Sequence, residues 1–245
     1  MKPTKIRLDE LVHQRGLADS RARAQALILA GQVVVADRRV DKPGTRVPAD
    51  AEVRLKGEVL PYVSRGGLKL KGAIDRFHLD LKGAVCADIG ASTGGFTDCL
   101  LQEGAARVHA IDVGHAQLHE KLRQDPRVIS HEGVNARSLS EADLPETVGV
   151  LVVDVSFISL RLVLPSALIR LSPGGLLIAL VKPQFEAGRE AVGKGGVVRD
   201  AVARQQAIDG IRAFVEGRGL EILGVMDSPI AGPAGNVEAL LVARA

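Results

Sequence analysis

Aromatic side chains are scarce in this sequence of 245 residues. It contains no tryptophan, one tyrosine and five phenylalanines, which together make up 2% of the chain. Because 46% of the residues are hydrophobic, the core must be built mainly from aliphatic side chains. Aromatic platforms on which a nucleobase could stack must also be few.

Cysteines and long apolar segments are rare as well. The two cysteines, Cys86 and Cys99, indicate a reduced, cytoplasmic protein rather than a disulfide scaffold. No run approaches the roughly 18 apolar residues typical of a transmembrane helix. No apolar stretch follows Lys2 and Lys5, as it would in a secretory signal. We therefore expect a cytoplasmic protein with no membrane association.

Negative charge does not balance positive charge at the front of the chain. The first 60 residues hold 12 lysines and arginines against 8 acidic residues, and the remainder holds 20 against 21. A basic segment on a near-neutral body predicts contact with a polyanion such as a nucleic acid. The simpler alternative is a solvated basic surface.

Residues 1–60 have a pattern of their own and are predicted to form a separate domain with its linker. A first helix ends at Gly16, and a second begins with Asp19 or Ser20 as N-cap and ends before Gly31. Short strands and one turn follow, at residues 32–36, 38–40, 42–45 and 52–56. Two helices and a small sheet make this a compact α+β unit.

This unit resembles the alpha-L RNA-binding motif of ribosomal small-subunit protein four, over about residues 5–52. The Ser20-Arg21 helix start, the strand from Gly31 to Val35 and the Lys42-Pro43-Gly44 turn carry the resemblance. The alternative is a basic cap that only stabilises the larger domain. Together with two later basic segments, the resemblance implies RNA contacts at Arg7, Arg21, Arg23, Arg38, Arg39, Lys42, Arg65, Arg189 and Lys194.

The larger domain, residues 61–245, alternates predicted strands with predicted helices. Such alternation predicts a mostly parallel sheet that is covered on both faces. Only a loop separates the last two strands, so they should pair as an antiparallel hairpin. Seven strands that end in such a hairpin predict a Rossmann-like class I methyltransferase fold. The predicted helices lie near residues 65–79, 95–104, 115–123, 160–171 and 200–217.

A glycine-rich turn in "VCADIGASTGGFTD" marks the predicted cofactor end of the sheet. Its G-x-x-x-G-G spacing differs from the G-x-G-x-x-G of dinucleotide-binding proteins. Asp112 ends the second strand, where it can accept hydrogen bonds from ribose hydroxyls. The side-chain amide of Asn135 can contact the edge of an adenine. These features favour S-adenosylmethionine, with purely structural glycines as the alternative. The predicted cofactor contacts are Asp88, Gly90, Ser92, Gly94, Gly95, Phe96, Thr97, Asp112, Val113, Asn135 and Asp154.

Asp154 and Lys182 end the fourth and fifth strands, which should lie side by side. Lys69 and Glu238 could join them from the flanking helix and the last strand. "DVSF" at the end of strand four lacks the Pro-Pro-aromatic pattern of amino-group methyltransferases, so a hydroxyl is the expected target. A hydroxyl must lose its proton as it attacks, and a neutral lysine can accept it. The spacing leaves open which lysine does so.

The segments "YVSRGGLKL", "DIGASTGGFTD", "DVSFISL", "VKPQFE", "KGGVVRD" and "GNVEALL" resemble the TlyA (hemolysin A) family. That resemblance implies a 2′-O-methyltransferase with an FtsJ-type catalytic domain. It implies S-adenosylmethionine as the cofactor, a cytidine ribose in ribosomal RNA or ribosomal subunits as the substrate, and no metal. It also implies a catalytic tetrad with Lys182 as the base, completed by Lys69, Asp154 and Glu238.

Three alternatives compete with this interpretation. A pore-forming cytolysin is disfavoured, since we find no export signal, membrane span or long amphipathic helix with an aromatic face. A factor that binds RNA and S-adenosylmethionine without catalysis is disfavoured by the intact tetrad. A nicotinamide dehydrogenase is disfavoured by the glycine spacing and the terminal hairpin.

Overall fold

A computed structural model describes residues 5–36, 38–56 and 60–245. The chain divides into two compact units, Met1–Leu60 and Pro61–Ala245. Each unit has its own hydrophobic core, and each is described separately below.

The described residues of the first unit form two helices and five short strands. Ser20 caps the second helix, because its hydroxyl oxygen accepts a hydrogen bond from the Arg23 amide at 3.1 Å. The helices are α1 (Leu8–Gln14) and α2 (Arg21–Leu29). The strands are β1 (Lys5–Arg7), β2 (Val33–Val35), β3 (Arg38–Arg39), β4 (Arg46–Pro48) and β5 (Val53–Leu55).

Strand β1 pairs with β4, and β2 pairs with both β3 and β5, all antiparallel. The core between the helices and strands is aliphatic, with Leu8, Val12, Ile28 and Val33 wholly buried. The sequence pattern did not predict β1 and β4, because the two strands are distant in the chain and no local pattern reveals their pairing.

The second unit is built on a seven-stranded sheet with the order β11-β12-β10-β9-β6-β7-β8. Its strands are β6 (Val85–Ile89), β7 (Arg107–Asp112), β8 (Val128–Glu132), β9 (Val148–Val153), β10 (Leu171–Val181), β11 (Glu221–Asp227) and β12 (Ala239–Arg244). The neighbours of β12 pair with it antiparallel, and the other pairings are parallel. The predicted seven-stranded methyltransferase layout with its terminal hairpin is confirmed.

Helices cover both faces of this sheet. They are α3 (Gly66–Phe77), α4 (Gly95–Gln102), α5 (Glu120–Arg123), α6 (Leu160–Leu168), α7 (Pro183–Glu186) and α8 (Ala201–Glu216), with 3₁₀ turns at Ala136–Ser138 and Arg189–Ala191. Helices α3 and α4 pack on one face and α6 and α8 on the other. Both cysteines are reduced and buried in the first of these layers. Among the described helices, none is both long and apolar enough to cross a membrane.

The predicted helix at residues 115–123 is wrong for its first half, since α5 is a single turn. Carboxylates at the strand ends accept hydrogen bonds from backbone N–H groups that would otherwise bond within a helix. The Gly114 amide donates to Asp112 at 2.8 Å, and the Ala116 amide donates to Glu132 at 3.0 Å. Ala116 itself has a φ of 53°. Tertiary hydrogen bonds therefore override a local helical pattern here.

Candidate active site

Two cavities meet at the carboxyl ends of the parallel strands, where open α/β sheets bind ligands. One has a volume of about 260 Å³ and is lined by Lys69 and Lys182. The other has a volume of about 500 Å³ and is lined by Asp112 and Asn135. Both are lined by Asp154, so the two cavities share one wall.

Two lysine–carboxylate pairs lie at the smaller cavity, which is lined by Lys69, Asp154 and Lys182. Lys182 Nζ lies 2.6 Å from Asp154 Oδ1 and donates a hydrogen bond to Ser156 Oγ at 2.8 Å. Lys69 Nζ donates to Glu238 Oε2 at 2.7 Å. Relative exposures of 8% for each lysine and 1% for Glu238 rule out ordinary surface salt bridges. Buried ion pairs are weak contributors to stability, so their place at a cavity points to chemistry.

The topology accounts for the position of each member. Strand β9 lies between β6 and β10, so Asp154 and Lys182 follow neighbouring strands. Lys69 projects from α3, one turn beyond its start. Glu238 precedes β12, and its carbonyl accepts a hydrogen bond from the Ser228 amide at 2.9 Å. The structure therefore brings the four predicted catalytic residues to one end of the sheet.

The glycine-rich turn after β6 lines both cavities. Gly90 and Gly94 have φ values of +84° and +97°, a conformation that favours glycine. A Cβ atom at Gly90 would lie 2.4 Å from the carbonyl oxygen of Asp154. The turn after β6 can therefore approach the end of β9 only because residue 90 has no side chain.

Asp88 presents an unsatisfied oxygen to this site. The side chain is wholly buried, and one oxygen accepts a hydrogen bond from Thr97 Oγ1 at 2.7 Å. The other, Oδ1, has no hydrogen-bond partner among the described residues, although Asp88 lines the smaller cavity. Burial raises the pKa of Asp88 to about 7, with the hydrogen bond from Thr97 opposing the rise.

Thr97 was predicted as a direct cofactor contact, but the structure places it differently. Its side chain is wholly buried, and it lines neither of the two cavities. Its hydroxyl group instead orients Asp88. Of the remaining glycine-turn residues, Gly95 and Phe96 line the smaller cavity beside Ser92.

The larger cavity contains the predicted nucleoside-binding residues. Asp112 accepts hydrogen bonds from the backbone amides of Ser92 and Gly114, both at 2.8 Å. These bonds fix its carboxylate at the cavity wall. Asn135 uses its amide oxygen to accept from the Arg137 amide at 3.0 Å. Val113 is 70% exposed at the same rim.

Sequence reasoning missed Ser156 and Phe157, which follow Asp154. Ser156 accepts the hydrogen bond from Lys182. Phe157 is 92% exposed and has a φ of 64°. A bulky residue in this conformation is unusual and tends to occur at functional sites. Its ring lies 5.3 Å from that of Phe185, so two of the few aromatic residues meet beside the site.

The predicted RNA contacts lie on the surface of both units. Arg23, Arg38, Arg39 and Lys42 are exposed in the first unit, and Arg189 and Lys194 are exposed between α7 and α8. Arg65 lines the smaller cavity. The remaining two, Arg7 and Arg21, both contact Asp9. Among the residues that the structure describes, no cluster of histidine, cysteine or acidic side chains is arranged to hold a metal ion.

Comparison with known proteins identifies both units. The family model for FtsJ-like methyltransferases matches residues 62–245, and the S4 domain model matches residues 6–53. YqxC of Bacillus subtilis, which carries a provisional description as an rRNA methyltransferase, is 48% identical over 245 residues. That match covers 98% of this chain and 86% of YqxC.

Two further relatives are similar over nearly the whole chain. The Mycobacterium tuberculosis protein named 16S/23S rRNA (cytidine-2′-O)-methyltransferase TlyA is 43% identical over 241 residues, 98% of this chain and 90% of its own. A solved structure from Streptococcus thermophilus, described provisionally as a hemolysin, superposes with a TM-score of 0.77 at 45% identity. It covers 100% of this chain and 89% of its own. The chain therefore belongs to the FtsJ-like methyltransferases, as a TlyA (hemolysin A) family member with an S4 domain.

Proposed function

We propose that this protein transfers a methyl group from S-adenosylmethionine to the 2′-hydroxyl of a cytidine ribose in ribosomal RNA, in the cytoplasm. The observation that carries the proposal is the pair of buried lysine–carboxylate contacts at one cavity, beside a second cavity of nucleoside size. The relatives' activity, as their names give it, supplies the substrate class.

The residues present fit S-adenosylmethionine. Its α-amino group is a cation that would satisfy the buried Asp88 Oδ1. Asp112 would accept hydrogen bonds from the ribose hydroxyls, and Asn135 would face the edge of the adenine. Gly90, which lines both cavities, would let the backbone approach the ligand closely. When bound, the cofactor supplies an electrophilic methyl group on a sulfonium.

Lys182 acts as the base in this proposal. With the cofactor bound, its sulfonium–methyl bond would break as the ribose 2′-oxygen forms its bond to the methyl carbon, so that a neutral thioether would leave. The hydroxyl proton would pass to the neutral amine of Lys182 Nζ. The ammonium that forms lies 2.6 Å from Asp154, whose carboxylate stabilises it. Ser156 holds the Lys182 side chain at 2.8 Å. The Lys69–Glu238 pair positions the ribose from the other wall of the cavity.

The first unit docks on folded RNA through phosphate contacts. Its exposed arginines and Lys42 provide a basic surface, and its S4 domain match supports this role. Phosphate contacts release counterions, so RNA affinity should fall steeply as the salt concentration rises. The catalytic unit then receives one ribose whose nucleotide has left its stack.

The affinity for S-adenosylmethionine should rise between pH 5.5 and 7.5. With its pKa near 7, Asp88 is largely protonated at the lower pH and cannot pair with the ligand's ammonium. At the higher pH it is mostly ionised, while an α-amino group of pKa about 7.7–8.0 is still mostly protonated. Calorimetric titration at both values measures the change. Asp88→Asn should bind more weakly and without this pH dependence; an unchanged pH profile in that variant would remove Asp88 from the cofactor site.

The proposed activity is tested by methyl transfer to separated ribosomal subunits. Radiolabelled S-adenosylmethionine is incubated with the protein and with small or large subunits that lack the modification. We expect label in the RNA of at least one subunit. Subunits already modified by the active enzyme are the control and should accept no label. Intact cofactor binding with no label on either subunit would contradict the proposal.

A further inference from the structure

A buried carboxylate organises part of the basic surface of the first unit. Asp9 has a relative exposure of 0%. Arg7 on β1 donates to it twice, from Nε at 3.0 Å and from Nη2 at 2.9 Å. Arg21 on α2 donates from Nε at 3.2 Å, and Gln25 donates from Nε2 at 2.7 Å. The hydrogen bond from Arg7 is the main cause that holds the pKa of Asp9 well below its usual range.

The two arginines keep donors for a ligand. A guanidinium carries five N–H groups, and the contacts with Asp9 use at most two from each arginine. The Arg7 and Arg21 side chains remain 43% and 50% exposed. Each arginine therefore has one edge fixed against a buried anion and keeps N–H groups that Asp9 does not use, on a side chain that solvent reaches.

The neighbouring basic turn is fixed to the same place. The Asp9 amide donates to the Pro43 carbonyl at 3.1 Å, which anchors the turn that contains Lys42. The Arg7 guanidinium lies against Gly44, where a Cβ atom would be 3.4 Å from Nη1. Arg7 and Arg21 thus form one rigid basic surface with this turn.

We propose that Asp9 is a positioning residue for RNA, which fixes Arg7 and Arg21 at a set spacing so that they bind neighbouring phosphates. This inference rests on the proposed RNA-docking role of the unit. The physical advantage is preorganisation, because a long side chain held in place before binding loses less entropy when it contacts phosphate. Two other roles are possible for a buried acid here: partial neutralisation of the basic surface, or attachment of α1 to α2 alone.

The direction in which Asp9→Asn changes the RNA affinity distinguishes positioning from neutralisation. Asp9→Asn raises the net charge of the unit by one, so neutralisation predicts tighter RNA binding. Positioning predicts RNA binding that is weaker by roughly tenfold or more. It also predicts that the affinity falls less steeply with salt, by an amount equivalent to the loss of up to two phosphate contacts. Asp19→Asn makes the same charge change at an exposed site and should not weaken binding. The turnover number at saturating RNA and the affinity for S-adenosylmethionine should stay unchanged in both variants.

A mutant cycle separates positioning from simple attachment of the helices. The Asp9→Asn change is repeated in a full-length Arg7→Ala/Arg21→Ala background. If Asp9 acts through these arginines, it should cause no further loss of RNA affinity there. An equal loss in that background, or tighter binding by Asp9→Asn alone, would overturn the proposal. Loss of all methyl transfer by the unaltered protein would instead contradict the proposed function.

A second variant keeps the test valid if Asp9→Asn lowers the melting temperature. Arg21→Lys retains the positive charge but loses the planar fork that pairs with Asp9. We expect it to weaken RNA binding several-fold, while the same exchange at exposed Arg38 has a smaller effect. Equal effects at both positions would show that Arg21 contributes only charge, and would overturn the proposal.

Discussion

Replacing Lys182 with alanine is expected to abolish methyl transfer and leave the affinity for S-adenosylmethionine nearly unchanged. The amino group of Lys182 contacts Asp154 and Ser156 in the smaller cavity, whereas Asp112 and Asn135, the predicted adenosine-binding residues, line the larger cavity. A positioned general base contributes about 10²–10⁴-fold to rate, so the single-turnover rate constant should fall by at least that factor. Rapid-quench measurement of methyl transfer, with cofactor binding measured in parallel, tests this directly.

Lys182→Arg distinguishes proton transfer from charge alone. Arginine keeps the positive charge beside Asp154 but does not give up its proton in proteins. We expect this variant to be as inactive as the alanine variant. Substantial turnover by Lys182→Arg would show that the residue acts through its charge and is not the base. Lys82→Ala, at an exposed position, is the matched control and should behave like the unaltered protein.

Replacing Lys69 with methionine should cause the largest loss of stability, together with loss of activity. It would leave Glu238, which is 1% exposed, without the ammonium 2.7 Å away. Removal of one partner from a buried ion pair costs about 3–5 kcal/mol. Urea unfolding of the single variant measures this cost. Lys71→Met, which breaks surface contacts with Asp75 and Glu103, should change the free energy of unfolding by about 1 kcal/mol or less.

The double variant Lys69→Met/Glu238→Gln separates stability from catalysis. Without Lys69, a neutral amide at position 238 should recover much of the lost stability, because no buried charge remains unpaired. Activity should stay low, since the pair can no longer position the ribose. A double variant that regained both stability and turnover would show that the pair is dispensable for the reaction.

The sequence predicted the larger unit well because its apolar strand segments are long and alternate repeatedly with helical patterns. The apolar run from Leu176 to Val181 predicts a buried strand that ends at Lys182, immediately before Pro183. The adjacency of Asp154 and Lys182 followed from strand order alone. Short elements were harder: β1 and β4 exist because they pair with each other across 41 residues, which no local pattern reveals.

The contacts within the site were less predictable than its members. Lys69 and Glu238 lie 169 positions apart in the chain, so only the folded structure pairs them. Thr97 follows the glycine turn as a cofactor contact would, yet its helix rotates the hydroxyl inward to Asp88. The contact between Asp9 and Arg21, twelve positions later, likewise forms only in the folded structure.

The position of the methyl group tests the central claim most directly. RNA labelled by the protein is digested with alkali, which cleaves a phosphodiester only when the adjacent 2′-hydroxyl is available. Methylation of a ribose 2′-oxygen predicts label in an alkali-resistant dinucleotide whose first nucleoside is cytidine. Label released in mononucleotides would place the methyl group on a base, and would contradict the role proposed for Lys182.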